Sequence, residues 1–153
     1  MKTFVIAAAL VASFVSPAQA QEVKGITMGM DRTEVEKLYP QGVEGITVGG
    51  ISSAYASIAY DGNDKVESFS FFFDSGDFFK VMDAVKTKYP KIKCVTSTVQ
   101  NGYGASFEQV KCDQGTLHLT RFSGKITEGS LMMFSPSLIA GQAKLNSKKA
   151  SDI

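Results

Sequence analysis

Two cysteines, Cys94 and Cys112, constrain this chain more than any other feature of its sequence. Between them Gln100-Asn101-Gly102-Tyr103-Gly104 forms a turn cluster, and Lys93–Val99 and Ser106–Lys111 on either side read as strands. A hairpin centred on Tyr103 places residue 94 opposite residue 112, and two cysteines allow one pairing. A cross-strand bond closing a loop of this length stabilises a fold by about 3 kcal/mol in the chain-entropy account. A redox-active pair is instead usually a C-x-x-C at a helix N-terminus, whereas these residues lie 18 apart on strands. The reading is a structural staple.

The start of the chain agrees with an oxidising destination. Met1-Lys2-Thr3 is a short basic opening, Phe4–Val15 is an uncharged apolar run, and Ser16-Pro17-Ala18-Gln19-Ala20 ends in small residues spaced A-x-A. This is the pattern of a secretory signal peptide covering 1–20. The apolar run falls well short of the roughly 20 residues that cross a bilayer, so no membrane span is expected. Gln21, not a cysteine, follows the expected cleavage point, so nothing there accepts a lipid. The expected location is the periplasm or the extracellular space.

With 153 residues, 44% of them hydrophobic, and a formal charge of +1, the remainder suits one ordinary domain, expected over 21–140. No run of five like charges or basic amphipathic stretch provides the electrostatic footprint of phosphate-backbone binding, which argues against nucleic acid as a partner. One histidine, two cysteines and no tryptophan exclude a multi-histidine metal site and a four-cysteine zinc site. No cofactor or metal is expected. Residues 141–153 contain Lys144, Lys148 and Lys149 with little apolar content and read as a flexible tail.

Within the domain, Asp31-Arg32-Thr33-Glu34 is a helix start in which Asp31 caps and Glu34 reaches back, with Met30 and Val35 as a staple. Val35, Leu38 and Tyr39 share a helical face, and Pro40 stops the helix. Strands follow at Ala54–Tyr60 and Val66–Phe73, separated by Asp61-Gly62-Asn63-Asp64; Phe69, Phe71 and Phe73 alternate with Ser68, Ser70 and Phe72. A second helix starts at Ser75 or Asp77, carries Phe78, Val81, Met82, Val85 and Tyr89 on one stripe, and stops at Pro90. After the cysteine hairpin, Thr116–Phe122 and Ser130–Phe134 read as strands. Val35-Glu36-Lys37-Leu38-Tyr39-Pro40 matches Val85-Lys86-Thr87-Lys88-Tyr89-Pro90. The fold class is therefore α+β, short helices packed on antiparallel sheet. The halves 25–74 and 75–137 read either as a degenerate tandem α-β-β-β repeat or as two α+β halves alike only at this resolution.

The segment Gly25-Ile26-Thr27-Met28-Gly29-Met30-Asp31-Arg32-Thr33-Glu34-Val35 resembles the entry motif of the SmpA/OmlA (BamE-like) outer-membrane assembly lipoproteins. It is similar also to the segment that opens each half of the secreted β-lactamase inhibitor proteins. The resemblance implies short helices on a three- or four-stranded antiparallel sheet, duplicated and carrying disulfides in the inhibitor proteins, and it implies a binding scaffold without catalysis. The whole chain is also similar to small exported bacterial proteins.

Individual candidates for chemistry have structural readings. His118 lies between Leu117 and Leu119 and points to the opposite strand face, with Asp113 as a generic carboxylate nearby in sequence. Asp61-Gly62-Asn63-Asp64 lacks the spacing of a calcium loop and reads as a turn. Asp74 and Asp77 read as helix caps, and Met28 and Met30 as packing rather than thioether ligands. What remains is aromatic and arginine surface: Tyr103 at the hairpin tip, Phe72, Phe107 and Arg121. These are either contacts for an envelope or extracellular protein, or, for Phe72 and Phe107, the wall of a covered second face. The expected function is an exported protein-binding or inhibitor-like module; a cell-envelope assembly factor and a hydrolase with an unrecognised site, which would lose activity on His118→Ala, are the alternatives.

Overall fold

A computed structural model of the chain describes residues 22–100, 106–122 and 128–151. The chain opens with a two-stranded ribbon, β1 (Glu22–Val23) and β2 (Ile26–Thr27), and enters α1 (Arg32–Leu38). The Asp31 N–H donates to the Glu34 carboxylate at 3.3 Å, as the capping pattern anticipates. The Asp31 carboxylate is held by Lys65 Nζ at 2.7 Å. A second short ribbon, β3 (Thr47–Val48) and β4 (Ile51–Ser52), turns on Gly49 and Gly50, whose φ values of +59° and +79° suit a type I′ turn. Neither two-residue ribbon leaves a periodicity long enough to read from sequence.

The main strands are β5 (Tyr55–Tyr60), β6 (Val66–Asp74), β7 (Cys94–Gln100), β8 (Ser106–Cys112), β9 (Leu117–Phe122) and β10 (Glu128–Phe134). They form one six-stranded sheet in the order β5-β6-β10-β9-β8-β7, antiparallel at every pairing. The fold is α+β, and the strands lie where alternation and turn chemistry put them. Cys94 pairs with Cys112 and Gln100 with Ser106, a register centred on residue 103, and the two Sγ atoms are bonded at 2.00 Å. The strands divide two and four between the halves, and β6 of the first pairs along its length with β10 of the second.

A short 3-10 turn, Ser75–Asp77, follows β6, with the Asp74 carboxylate accepting from the Gly76 N–H at 2.8 Å. It leads into α2 (Phe78–Lys88), which carries the chain from β6 to the far edge, packing on β9 and β10 as it crosses. Phe78, Val81 and Val85 are buried against Phe69, Phe71, Phe73, Leu119, Leu131 and Met133 on one sheet face, in the same core as Val35 of α1 and Ile26 of β2. Burial of these side chains is the main stabilising term. Met28 and Met30 pack against the same core.

The two helices end alike. Tyr39 and Tyr89 cap them with φ and ψ of −132° and 70°, and −122° and 69°, each donating its N–H to the valine four residues earlier. Both hydroxyls reach the opening ribbon: Tyr39 donates to the Lys24 carbonyl, and Tyr89 donates to the Glu22 carbonyl and accepts from the Glu22 N–H, all at 2.7 Å. The matching hexapeptides thus clamp one element from two sides.

One expectation is corrected. Residues 141–151, read as a tail, continue α3 (Pro136–Ser151). The Leu138 N–H donates to Ser135 Oγ at 3.2 Å, and Pro136 stands in the first turn, where its missing N–H costs nothing. Ala140, Gln142, Ala143, Lys144 and Leu145 then propagate the helix by intrinsic preference. The low apolar content still shows: every residue from Ala140 to Ala150 is exposed. No helix among the described residues is long and apolar enough to cross a membrane.

Candidate binding surface

The period of two in each strand sends one set of side chains into the core and the other to the opposite face of the sheet. Pairing assembles that second set. Across the middle, Tyr55, Phe72, Ser130, Thr120, Gln109 and Ser97 stand in one row, and Ser57, Ser70, Met132, His118, Lys111 and Val95 in the next. Helices α1 and α2 bury their apolar residues on the other side, so neither of them covers the Phe72 face.

Three aromatic pairs mark this face. Tyr55 and Phe72 lie with ring centroids 6.0 Å apart, His118 and Phe134 at 5.1 Å, and Phe107 and Phe122 at 5.4 Å. Phe72, Phe107, Phe122, Phe134 and Met132 are half-buried, and Tyr55 is 56% exposed. Ser130 and Thr120, buried between the pairs, keep the floor low, so the rings stand as ridges over a neutral surface. Ionisable groups occur as His118 and Lys111 in the middle and as Asp74 and Glu128 at the β6–β10 end. Burial pushes the His118 imidazole below its ordinary pKa, the Lys111 cation adds to this, and a hydrogen bond with the Gly115 backbone opposes both.

Of the four residues singled out in sequence, Phe72 and Phe107 share this face. They stand three strands apart, about 14 Å at the usual interstrand spacing. Tyr103 lies outside the described residues. Arg121 is on the core side, so its grouping with the two phenylalanines is corrected. Its parity is that of Leu117 and Leu119, and its guanidinium bonds Glu108 at 2.8 Å and lies over the rings of Phe78 and Phe79 at 5.4 and 5.0 Å. Those contacts tie the start of α2 to β8 and β9. Tyr55, Phe122, Phe134 and Met132 complete the surface and escaped sequence reasoning. Strand parity alone would have put Phe122 on the side of His118, but only the β6–β10 pairing sets Phe134 and Met132 beside the Phe72 row.

The other candidate chemistry is absorbed by structure. The Asp61 carboxylate accepts from the Asn63 and Lys65 N–H groups at 2.8 and 3.0 Å, which closes the β5–β6 turn and holds its pKa below the usual range. A cleft of about 320 Å³ lies under the two ribbons and α2, bounded by Val23, Val48, Ala84, Val85, Leu117 and Leu131. At its mouth Lys88 Nζ bonds the Glu22 carboxylate at 3.2 Å; the Gly25 N–H and this cation hold Glu22 below its ordinary pKa. Glu22, Lys24, Lys88 and Tyr89 also line the cleft, so its apolar floor has an ionisable rim in which Lys88 neutralises Glu22 and the Tyr89 hydroxyl bonds the Glu22 backbone. Comparisons with protein families, with characterised proteins and with solved structures find no match for this chain.

Proposed function

We propose that this protein is an exported, non-catalytic binding module that engages a protein of the cell envelope or the extracellular space through the open face of its sheet. The observation that carries the reading is the set of three aromatic pairs, half-buried but for the exposed Tyr55, on a floor of serine and threonine. Rigid aromatic side chains lose little rotamer freedom on contact and dominate interface energetics. The charge pattern suits a partner that lays an apolar ridge between the ring pairs and sets a carboxylate opposite Lys111 and a cation opposite Asp74 and Glu128. The leader pattern at 1–20, the disulfide and the resemblance of residues 25–35 to BamE-like proteins and secreted inhibitor proteins support an exported scaffold. The matching ends of α1 and α2 support the internal-repeat reading, with the second half extended by its cysteine hairpin.

Photocrosslinking in intact cells tests the surface. A photoreactive residue at Phe72 or Phe107 is expected to give one discrete adduct, suppressed by excess unmodified protein but not by the Phe72→Ser, Phe107→Ser double variant. The same group at Lys86, exposed on α2, is the control. Equal adducts from Lys86, or adducts only to a second copy of the chain, would refute the reading.

A further inference from the structure

We propose that the free edge of β7 pairs with the same edge of a second copy, antiparallel about a two-fold axis through Ser97, joining two six-stranded sheets into one. β7 is the terminal strand of the sheet. The Asp113 N–H donates to the Lys93 carbonyl at 2.9 Å, and these residues continue the Cys94–Cys112 register, so Lys93, Val95, Ser97 and Val99 turn their backbone groups toward β8. Cys94, Thr96, Thr98 and Gln100 therefore point N–H and C=O outward, and no described residue bonds them.

The sequence of this edge is self-complementary. Val95-Thr96-Ser97-Thr98-Val99 reads the same in both directions. An antiparallel pair centred on Ser97 sets Thr96 opposite Thr98, Val95 opposite Val99 and Ser97 opposite itself. In that register every outward residue of one copy meets an outward residue of the other, Thr96 with Thr98 and Cys94 with Gln100, so each edge N–H finds a carbonyl. A slip of one residue breaks this match, and a slip of two sets Val95 against Ser97. Cross-strand threonine and valine pairs are favourable, and the interface is isologous, as two-fold symmetry requires.

Edge strands are ordinarily protected by charge, proline or a bulge. β5, at the other edge, is bulged between Ala59 and Tyr60. β7 carries no charge, no proline and no register shift, and its β-branched residues favour further pairing. Val95 is the most exposed large hydrophobic residue of the described chain at 72%, and Val99 of the second copy would cover it. The nearest charge in the strand direction, Lys93, falls at opposite ends of the paired strands, so like charges are kept apart. The disulfide holds the start of β7 to β8 and keeps the edge extended.

Sedimentation velocity of the disulfide-bonded mature protein over a range of concentrations is expected to show a reversible monomer–dimer equilibrium. Ser97→Lys sets two ammonium groups opposite each other at the axis, on an exposed position where the monomer fold tolerates it, and should weaken the dimer about tenfold or more. An equimolar mixture of Ser97→Lys and Ser97→Glu should restore a mixed dimer. Ser97→Cys should crosslink to itself under oxidation, whereas Val95→Cys should not, because its neighbour across the axis is Val99. A monomer at every concentration, a Ser97→Lys protein that dimerises like the parent, or self-crosslinking by Val95→Cys equal to that of Ser97→Cys would overturn the proposal.

Discussion

Gly49 is the position where a single added carbon most directly tests the packing of the fold. It turns the β3–β4 ribbon at φ +59°, and a Cβ there would lie 2.7 Å from the Ala84 Cβ of α2 and 3.4 Å from the Lys80 carbonyl oxygen. Two carbon atoms in contact stand about 3.5–4.0 Å apart, so the added methyl overlaps its neighbour by roughly 1 Å, an overpacking that costs about 2 kcal/mol. A left-handed backbone adds about 1.5 kcal/mol for an alanine, and the stiffer unfolded chain returns about 0.7 kcal/mol. Gly49→Ala should therefore destabilise by about 3 kcal/mol. Ala84→Gly alone should cost about 1 kcal/mol as a mid-helix glycine. With the Ala84 methyl gone the overlap disappears, and Gly49→Ala should then cost only about 1 kcal/mol, its backbone share. Urea unfolding of the four proteins of this cycle, read at unchanged slope, measures the coupling. A coupling of about 2 kcal/mol is expected; additivity within about 0.5 kcal/mol would show that the ribbon is not seated on α2 and would refute the packing that closes the cleft.

Replacing Cys94 and Cys112 together by alanine should lower stability by about 3 kcal/mol, seen as an earlier urea midpoint, and two free thiols in the folded protein purified without reductant would contradict the staple. His118, held below its ordinary pKa, contributes stability that is fully present above the normal histidine range and is lost as pH falls through the lower folded value. His118→Gln should flatten the pH dependence of the melting temperature across that acidic window, and an unchanged profile would show that the imidazole is not desolvated.

The elements legible in the sequence are those whose causes are local. The cysteine hairpin follows from a turn cluster midway between two strand-like runs, and its register is the expected one, with Cys94 opposite Cys112. Phe72 against Phe69, Phe71 and Phe73 is strand parity, the start of α1 and the turn before α2 are capping chemistry at Asp31 and Asp74, and both helices stop ahead of a proline, whereas Asp77 makes no capping bond. What only the tertiary structure decided is non-local. The β6–β10 pairing joins strands some sixty residues apart, and nothing within either strand names its neighbour, because many apolar strands offer equivalent ladders. That pairing builds the aromatic face from Phe72, Phe134 and His118. The side taken by Arg121 follows from parity, but its contacts do not: only the crossing of α2 sets the rings of Phe78 and Phe79 beneath its half-buried guanidinium. The palindrome Val95–Val99 was present in the sequence from the start. It acquires meaning only because the sheet ends at β7, which leaves that strand with one face of hydrogen bonds made and the other unmade.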